Sequence, residues 1–344
     1  MKTVKLALLG FGNAARAFGR ILLEKEAALA ADHDAKIIVT AIATGSRGAL
    51  VNANGIDLQE AMRQIEEDGK FHASNLDYRT MSGLEIAQHA DYDCLIELSP
   101  LNIFTGQPAI SHIEAALQRG KHAITANKGP IAWAYDRLRK MAAEQGVGFY
   151  YETTVMDGTP VFNLVQKTLH HCKVLAVDGI LNTTTNFVLE ELAKGVPYED
   201  VMEEGRRRGF VEADPSMDLD GWDAAAKLTA LLNVLMDAGI TPMDIDRTGI
   251  GGVTAQQLQD AAARGKVIKL LCHGHQDGQG LHAWVRPTEV DAGSLYATIT
   301  GTSSVVAIET DLMGKLSMVE HDPELPQTGY GVYSDLTRLL QEQY

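Results

Sequence analysis

Between Glu212 and Lys227 the chain reads E-A-D-P-S-M-D-L-D-G-W-D-A-A-A-K, which sets Glu212, Asp214, Asp218, Asp220 and Asp223 ahead of an almost wholly apolar segment. From Ala224 to Met236 the only charge is Lys227, and a helix apolar on nearly every face is a buried helix. A lysine in such a helix is rare unless it is paired or working. Asp223 stands one helical turn before Lys227, so both project from the same face. Asp218 or Asp220 is placed to cap the helix start, and Ala238-Gly239 to end it. Carboxylates and an ammonium at the mouth of an apolar helix suit a polar amino-acid substrate with an acid/base group at its centre. Two plainer accounts compete. A calcium loop needs an acid at its first position and a glutamate at its last; Ser216 and Lys227 stand there instead, which excludes it. A structural ion pair between Asp223 and Lys227, with the other acids solvated around a turn, fits the spacing equally well.

A second constellation opens the chain. The apolar run Val4–Leu9 leads into G-F-G-N-A-A at Gly10–Ala15 and then into a helical pattern through Ile21, Leu22 and Leu23. That strand–turn–helix setting is what a dinucleotide fingerprint requires. Gly10 permits the tight turn, Gly12 lets the backbone approach a pyrophosphate at the helix N-terminus, and Ala15 replaces the third glycine. Cofactor contacts are therefore expected from Gly10, Phe11, Gly12, Asn13 and Ala14. The run Ile37–Ala43 ends in Thr44-Gly45-Ser46-Arg47. An acid at that place would hold the ribose 2′-hydroxyl of NAD; Arg47 could instead hold a 2′-phosphate, which favours NADP. Lys128, in T-A-N-K-G-P, follows another strand and is expected to point toward a crevice between domains, with Ser99 and Pro100 near the nicotinamide. An ordinary loop lysine is the plainer account of Lys128 taken alone.

The elements that must position these groups fall into two halves. Apolar runs at Cys94–Leu98, His122–Ala126 and Val147–Tyr151 alternate with helical stretches. One of these helices is expected from Thr105 as N-cap, with Pro108 in its first turn, to Gly120. Such alternation over residues 1–150 indicates an α/β, Rossmann-type doubly wound parallel sheet. Beyond it, Val174–Leu181 reads as a strand, helices follow through Leu192, Glu204 and Met236, and alternating runs appear at Val267–His273, His282–Arg286, Val305–Glu309 and Leu316–Glu320. Residues 151–332 are accordingly expected to form a mixed α+β domain that binds substrate and dimerises. Asp335–Leu340 reads as a short helix, within a closing segment 333–344 that packs back on the first domain.

A chain of 344 residues with net charge −15 is long enough for two domains. Its acidity argues against nucleic acid, whose binding rests on lysine and arginine neutralising phosphates. Cys94, Cys172 and Cys272 lack C-x-x-C spacing, which suits a reducing compartment without a disulfide framework. No apolar run reaches transmembrane length and the N-terminus enters directly as a strand, so a soluble cytoplasmic protein is expected. His170-His171-Cys172 and His273-Gly274-His275 read as surface histidines, because neither has a further ligand pair at workable spacing. Cys172 has no helix N-terminus to activate it as a thiol nucleophile.

With the fingerprint, T-A-N-K-G at Thr125–Gly129, G-I-L-N-T-T-T-N-F at Gly179–Phe187 and E-A-D-P-x-x-D-x-x-G-x-D-A-A-x-K-L at Glu212–Leu228 in this order, the chain resembles homoserine dehydrogenase over essentially its whole length. The resemblance implies interconversion of L-homoserine and L-aspartate 4-semialdehyde with NAD(P), in threonine and methionine biosynthesis, by a homodimer built through the second domain. It implies that Lys227 is the proton donor to the forming alkoxide, with Asp223 beside it, and that Lys128 lies near the reacting carbon and the nicotinamide. Glu212 and Asp218 are implied to hold the polar ends of the substrate, Glu212 its ammonium. Thr183 and Thr184 are implied to lie along the substrate. The chemistry of the residues agrees, because reducing an aldehyde needs a proton for the developing oxyanion. A lysine desolvated on an apolar helix is expected to have its pKa drawn down toward the useful range.

Two departures from the family pattern bear on this expectation. The family's E-A-x-V-G-G-G-x-P, which binds a monovalent cation such as sodium, is here Glu152-Thr-Thr-Val155-Met156-Asp157-Gly-Thr159-Pro160. The resemblance implies a cation site at Glu152, Val155, Asp157 and Thr159, in which side chains at Met156 and Asp157 replace glycines. The family's N-G-T-T-N has become Asn182-Thr183-Thr184-Thr185-Asn186, which puts a side chain where glycine lies near substrate. The alternatives are a family relative acting on another small amino-acid semialdehyde or oxo acid, and a dinucleotide-binding redox sensor without turnover. Retention of Lys128, Asp223 and Lys227 together speaks against the sensor. The chain stops soon after its closing helix, so no feedback inhibition through an appended regulatory domain is expected.

Overall fold

The computed structural model describes residues 1–212 and 214–344, and the chain divides into two compact units. The first contains β1 (Lys2–Leu9), α1 (Asn13–Glu24), α2 (Glu26–His33), β2 (Ala35–Ala43), β3 (Ala49–Val51), α3 (Leu58–Glu67) and β4 (Tyr78–Arg79). It continues with α4 (Gly83–His89), β5 (Cys94–Glu97), α5 (Ala109–Gln118), β6 (His122–Thr125), α6 (Lys128–Gln145) and β7 (Phe149–Tyr150). The sheet order is β4-β3-β2-β1-β5-β6-β7. From β2 to β7 every neighbour is parallel, whereas β3 and β4 fold antiparallel onto the β2 edge. The central strands are mainly apolar on both faces because both faces are covered. Leu6 and Leu8 of β1 enter the core that holds Phe18 of α1; Ala7 and Leu9 enter the core on the opposite face, with Ile113 of α5 and Leu138 of α6. The order reverses between β1 and β5, and at such a switch point ligands bind at the carboxyl ends of strands.

One helix start differs from expectation. α5 begins at Ala109, and Thr105 instead accepts a hydrogen bond from the Gln107 N–H at 3.2 Å in the turn before it. Gly106 causes this by adopting φ 66°, a left-handed conformation that cannot begin a right-handed helix.

The second unit, Val161–Pro323, holds α7 (Val161–Thr168), β8 (Val174–Ile180), α8 (Thr183–Ala193), α9 (Tyr198–Arg208), α10 (Ser216–Leu219) and α11 (Trp222–Met236). It continues with β9 (Asp246–Arg247), α12 (Ala255–Ala263), β10 (Lys266–Asp277), β11 (Gly280–Asp291), β12 (Ser304–Thr310) and β13 (Gly314–Glu320). These strands form a mixed sheet of order β13-β12-β8-β10-β11-β9. The α11 helix lies on one face. Cys272 of β10 packs its sulfur against the Ala224 carbonyl, and Gly274 leaves room for Leu232, whose Cδ2 would stand 2.6 Å from an added Cβ. β10 and β11 run well past the apolar stretches seen in the sequence, because the ladder continues through polar pairs such as His275 with His282.

The chain then returns to the first unit as α13 (Leu325–Gln343), which packs against α1. This helix is far longer than Asp335–Leu340. Gly329 and Gly331 lie inside it and serve close packing. A Cβ on Gly329 would lie 2.8 Å from the Ala17 Cβ, and one on Gly331 would lie 2.7 Å from the Asp157 carbonyl oxygen. The first unit therefore comprises Met1–Pro160 and Glu324–Tyr344, with boundaries at Pro160 and Pro323 rather than at residues 150 and 332.

Candidate active site

In the first unit the fingerprint turns sharply off β1. Gly10 has φ 94°, and a side chain there would collide with the Leu98 carbonyl, so only glycine fits. Its N–H donates to the Ala43 carbonyl at 2.8 Å, tying the turn to the end of β2. Gly12 is the N-cap of α1; no side chain caps this end, no acid occupies the first turn, and nothing lies within 4 Å of where a Gly12 Cβ would be. Free N–H groups facing open space at a helix N-terminus fit a pyrophosphate. Ala15 is fully buried, which explains a small residue in place of the third glycine. Phe11 differs from expectation in one respect. Its ring is buried against Phe71 at 5.9 Å, so only its backbone is left to face a ligand. Asn13 is exposed and accepts a hydrogen bond from Arg16 at 2.8 Å, and Ala14 is half-buried. Arg16 was not anticipated; the one available signal was a cation directly after G-x-G-x-x-A.

Arg47 is exposed in the turn after β2. Its backbone is fixed by a 2.7 Å bond from its N–H to the Thr44 hydroxyl and by its carbonyl, which accepts from the Phe71 N–H at 2.9 Å. At the end of β5, Glu97 is fully buried and accepts from both the N–H (2.8 Å) and the hydroxyl of Ser99, while its other oxygen meets His112 Nδ1 at 2.6 Å. Asn127 donates to the Ser99 carbonyl at 3.0 Å and caps α6 by accepting from the Gly129 N–H at 2.9 Å. The loops after β5 and β6 are thus laced together, with Pro100 exposed and Lys128 half-buried as the first residue of α6. Glu97, His112 and Asn127 were missed from sequence, where Glu97 is merely an acid ending an apolar strand.

In the second unit the expected cluster forms around Asn182, the N-cap of α8. Its amide nitrogen donates to Asp218 at 2.7 Å and to Asp223 at 3.0 Å, and its oxygen accepts from the Thr185 N–H at 2.9 Å. Thr184 donates its hydroxyl to the other Asp218 oxygen at 3.0 Å. Lys227 lies 3.0 Å from Asp223 and donates to the Leu181 carbonyl at 2.7 Å. Burial and the neighbouring Asp223 push the Asp218 carboxyl above its ordinary pKa, and the bonds from Asn182 and Thr184 only partly offset this. Neither Asp218 nor Asp220 caps α11. Asp218 lies inside the short α10, and the N-cap of α11 is Gly221, whose φ of 80° makes the turn between the two helices. Asp237, at φ 50°, ends α11. Thr183 occupies the first turn of α8 and its hydroxyl donates to the Thr302 carbonyl at 3.4 Å. Glu212 is exposed on the loop entering α10, and among the described residues no hydrogen bond joins it to this cluster.

The segment from Glu152 to Thr159 belongs to the first unit. Met156 and Asp157 have φ of 57° and 49°, so both hold the left-handed conformation that glycine would adopt. The backbone path therefore survives the loss of glycine, at a cost of roughly 1–3 kcal/mol for each residue. Asp157 turns its carboxylate to accept from the Thr328 hydroxyl at 2.7 Å. Glu152 and Val155 are buried, and the Glu152 N–H donates to Asp335 at 2.9 Å. Thr159 closes the loop through its N–H, which donates to the Met156 carbonyl at 2.8 Å.

A switch-point sheet with an uncapped helix N-terminus in the first unit, and a partly buried lysine–carboxylate network in the second, fit a nicotinamide-dinucleotide-dependent oxidoreductase. The homoserine dehydrogenase family profile matches residues 160–337. A homoserine dehydrogenase of Methanocaldococcus jannaschii is 33% identical over 97% of this chain and 98% of its own length. An NAD(+)-dependent homoserine dehydrogenase of Pseudomonas canavaninivorans is 29% identical over 99% of this chain and 97% of its own. The structure of a hyperthermophilic archaeal homoserine dehydrogenase in complex with NADPH superposes with a TM-score of 0.83 at 26% identity, covering 99% of both chains. The chain belongs to the homoserine dehydrogenase family. Among the described residues no helix is long and apolar enough to cross a membrane.

Proposed function

We propose that this enzyme interconverts L-homoserine and L-aspartate 4-semialdehyde with NADP as its preferred dinucleotide. The observation that carries the substrate assignment is the Asn182–Asp218–Asp223–Lys227 network, which gathers two carboxylates and an ammonium where α8, α10 and α11 meet. When bound, the nicotinamide supplies or accepts the hydride. Lys227 gives a proton to the oxygen that becomes the hydroxyl, and its charge stabilises that oxygen as negative charge develops. Asp223 keeps the ammonium oriented. Glu212 and Asp218 hold the polar ends of the substrate, Glu212 its ammonium, and that positive charge would offset the burial that raises the proton affinity of Asp218. Thr183 and Thr184 border the substrate, and Lys128 accompanies the nicotinamide.

Gly10, Phe11, Gly12, Asn13 and Ala14 hold the pyrophosphate through backbone N–H groups, while Ser99 and Pro100 border the nicotinamide. The relatives include one named NAD(+)-dependent and a structure with NADPH, so the family admits both dinucleotides. No carboxylate stands in the Thr44–Gly48 turn of this chain, and exposed Arg47 does. That is the support for NADP. The left-handed Met156 and Asp157 support a monovalent cation at Glu152, Val155, Asp157 and Thr159, held through backbone carbonyls. Dimerisation through the second unit would use the sheet face opposite α11, where half-buried Trp284, Tyr296 and Val319 surround Leu271 and Val305. A role in threonine and methionine biosynthesis would place the enzyme in the cytoplasm.

The test is reduction of NADP+ and of NAD+ by the purified enzyme with L-homoserine. Turnover with both, faster with NADP+, is expected. Tight NADPH binding without turnover would overturn the substrate assignment and favour another small semialdehyde or oxo acid. Thr183, a side chain in place of the family's glycine, would then be the first suspect.

A further inference from the structure

The hairpin of β10 and β11 ends in side chains that the dehydrogenase chemistry does not use. Cys272 and Gly274 face α11, so His273, His275 and Asp277 project from the other face of the sheet. His282 lies directly across from His275 in the ladder, and the two imidazoles stack with centroids 5.0 Å apart and planes 20° from parallel. Both rings aim Nε2 at one carboxylate. His275 Nε2 is 3.8 Å from Asp277 Oδ2, and His282 Nε2 is 3.3 Å from Asp277 Oδ1. A ligand atom from each of these three side chains lies within 4.8 Å of the others. Bonds of about 2.0–2.1 Å to a tetrahedral ion would set such atoms roughly 3.4 Å apart, so small rotations would close the set around an ion.

What stands behind His275 fixes its orientation. Asp178 of β8 is paired with His273 across the ladder and meets its Nδ1 at 2.7 Å; His273 Nε2 in turn meets His275 Nδ1 at 2.8 Å. A carboxylate only accepts, so with a neutral His273 the chain of contacts runs from His275 Nδ1 to His273 Nε2 and from His273 Nδ1 to Asp178, and it turns His275 Nε2 toward Asp277 and His282. Asp178 also accepts from Lys315 at 3.1 Å, and Asp277 accepts from the Gln279 backbone N–H at 2.7 Å, so both carboxylates are held in place. Metal-binding histidines nearly always have their other ring nitrogen oriented in this manner by a carboxylate, directly or through one more group.

We infer that His275, Asp277 and His282 form a site for one divalent transition-metal ion of the zinc class, with His273 and Asp178 as positioning residues. Two imidazoles and one carboxylate suit zinc, cobalt or nickel and disfavour magnesium and calcium, which prefer all-oxygen shells. Asp277 and His282 are exposed near the hairpin turn, at the end of the ladder and to the turn side of the Trp284–Leu271 cluster proposed for dimerisation, which gives the ion an approach path and leaves a coordination position for water or a further ligand.

The test uses untagged, full-length enzyme stripped with a chelator. Zinc is titrated in competition with a chromophoric chelator, and cobalt is followed by its visible absorption. One equivalent of each is expected, zinc should raise the midpoint of thermal unfolding, and calcium should bind nowhere in this range. His282→Gln and His275→Gln should each weaken zinc at least ten-fold, and Asp178→Asn about ten-fold through the His273 relay. Melting of each variant without metal shows that it is folded. Absence of saturable binding by wild type, or wild-type affinity in folded His282→Gln, would overturn the site. Unchanged affinity in Asp178→Asn would overturn the relay.

Discussion

The ammonium of Lys227 donates to the Leu181 carbonyl at 2.7 Å, at the point where the chain has left β8 and is about to enter α8. With Asp223 at 3.0 Å on the same helical face, the lysine is anchored from two sides rather than waving from an apolar helix. A side chain so fixed loses little entropy when it acts, which is the condition for effective proton donation. Lys227→Ala is therefore expected to lower turnover by about 10²–10⁴-fold, with NADPH affinity unchanged by fluorescence titration. Lys227→Arg separates the two parts of the role, because arginine keeps the charge but does not release a proton. Near-normal turnover in Lys227→Ala would remove this residue from the mechanism.

Asp218 gives a prediction about stability and pH. Its carboxyl has a higher pKa folded than unfolded, because burial and Asp223 both disfavour the charge. A raised acid stabilises the fold below the ordinary carboxyl range, and that contribution disappears as pH rises through the raised pKa. Asp218→Asn removes the cost at neutral pH. The variant should melt a few degrees above wild type at about pH 7.5, since about 1 kcal/mol moves a domain of this size by roughly 2–4 °C. The advantage should shrink near about pH 3.5, where the acid is protonated in both states. Activity should fall although stability rises. An equal advantage at both pH values would show that the amide acts through packing rather than titration.

Gly329 tests the packing of the closing helix. A Cβ there would stand 2.8 Å from Ala17 Cβ and from the Phe18 nitrogen, on a backbone that cannot yield without moving α1. Alanine gains about 1 kcal/mol in helix propensity, but overpacking of a tight core contact costs about 1–3 kcal/mol. Gly329→Ala should thus be destabilising in urea unfolding. A stabilised variant would mean that the two helices approach less closely than the structure shows.

Whatever depended on local spacing was legible in the chain. β1, β5 and β6 appear as mainly apolar runs because both faces of a parallel sheet are covered, and Asp223 with Lys227 follows from one helical turn. What depended on contacts distant in sequence was not. Asn182 reaches Asp218 and Asp223 across 36 and 41 residues, and Glu97 meets His112 across 15. Nothing at either end of these pairs marks its partner. His275 and His282 look like unrelated surface residues until the β10–β11 register sets them face to face. The full length of α13 was not legible for the same reason, since its glycines pack against Ala17 and Asp157, which are distant in sequence. At Gly221 a left-handed turn intervenes where an aspartate cap was expected, and a sequence in which D-G can end or begin a helix does not choose between them.

The proposed preference for NADP rests on Arg47. Its turn is held by the Thr44 hydroxyl and by the Phe71 N–H, while β2 itself is joined to the fingerprint through the Gly10 N–H and the Ala43 carbonyl. The guanidinium is exposed and paired planar donors suit a phosphate. Arg47→Ala should weaken NADPH by about ten-fold or more, the worth of a charge-assisted hydrogen bond of roughly 1.5–3 kcal/mol, and leave NADH nearly unchanged. Arg47→Asp should go further and turn the preference toward NADH, because a carboxylate repels the 2′-phosphate and accepts from the 2′-hydroxyl. Titration of both reduced dinucleotides against wild type and the two variants checks this. Equal losses for NADPH and NADH in Arg47→Ala would mean that the residue supports the turn and does not read the ribose.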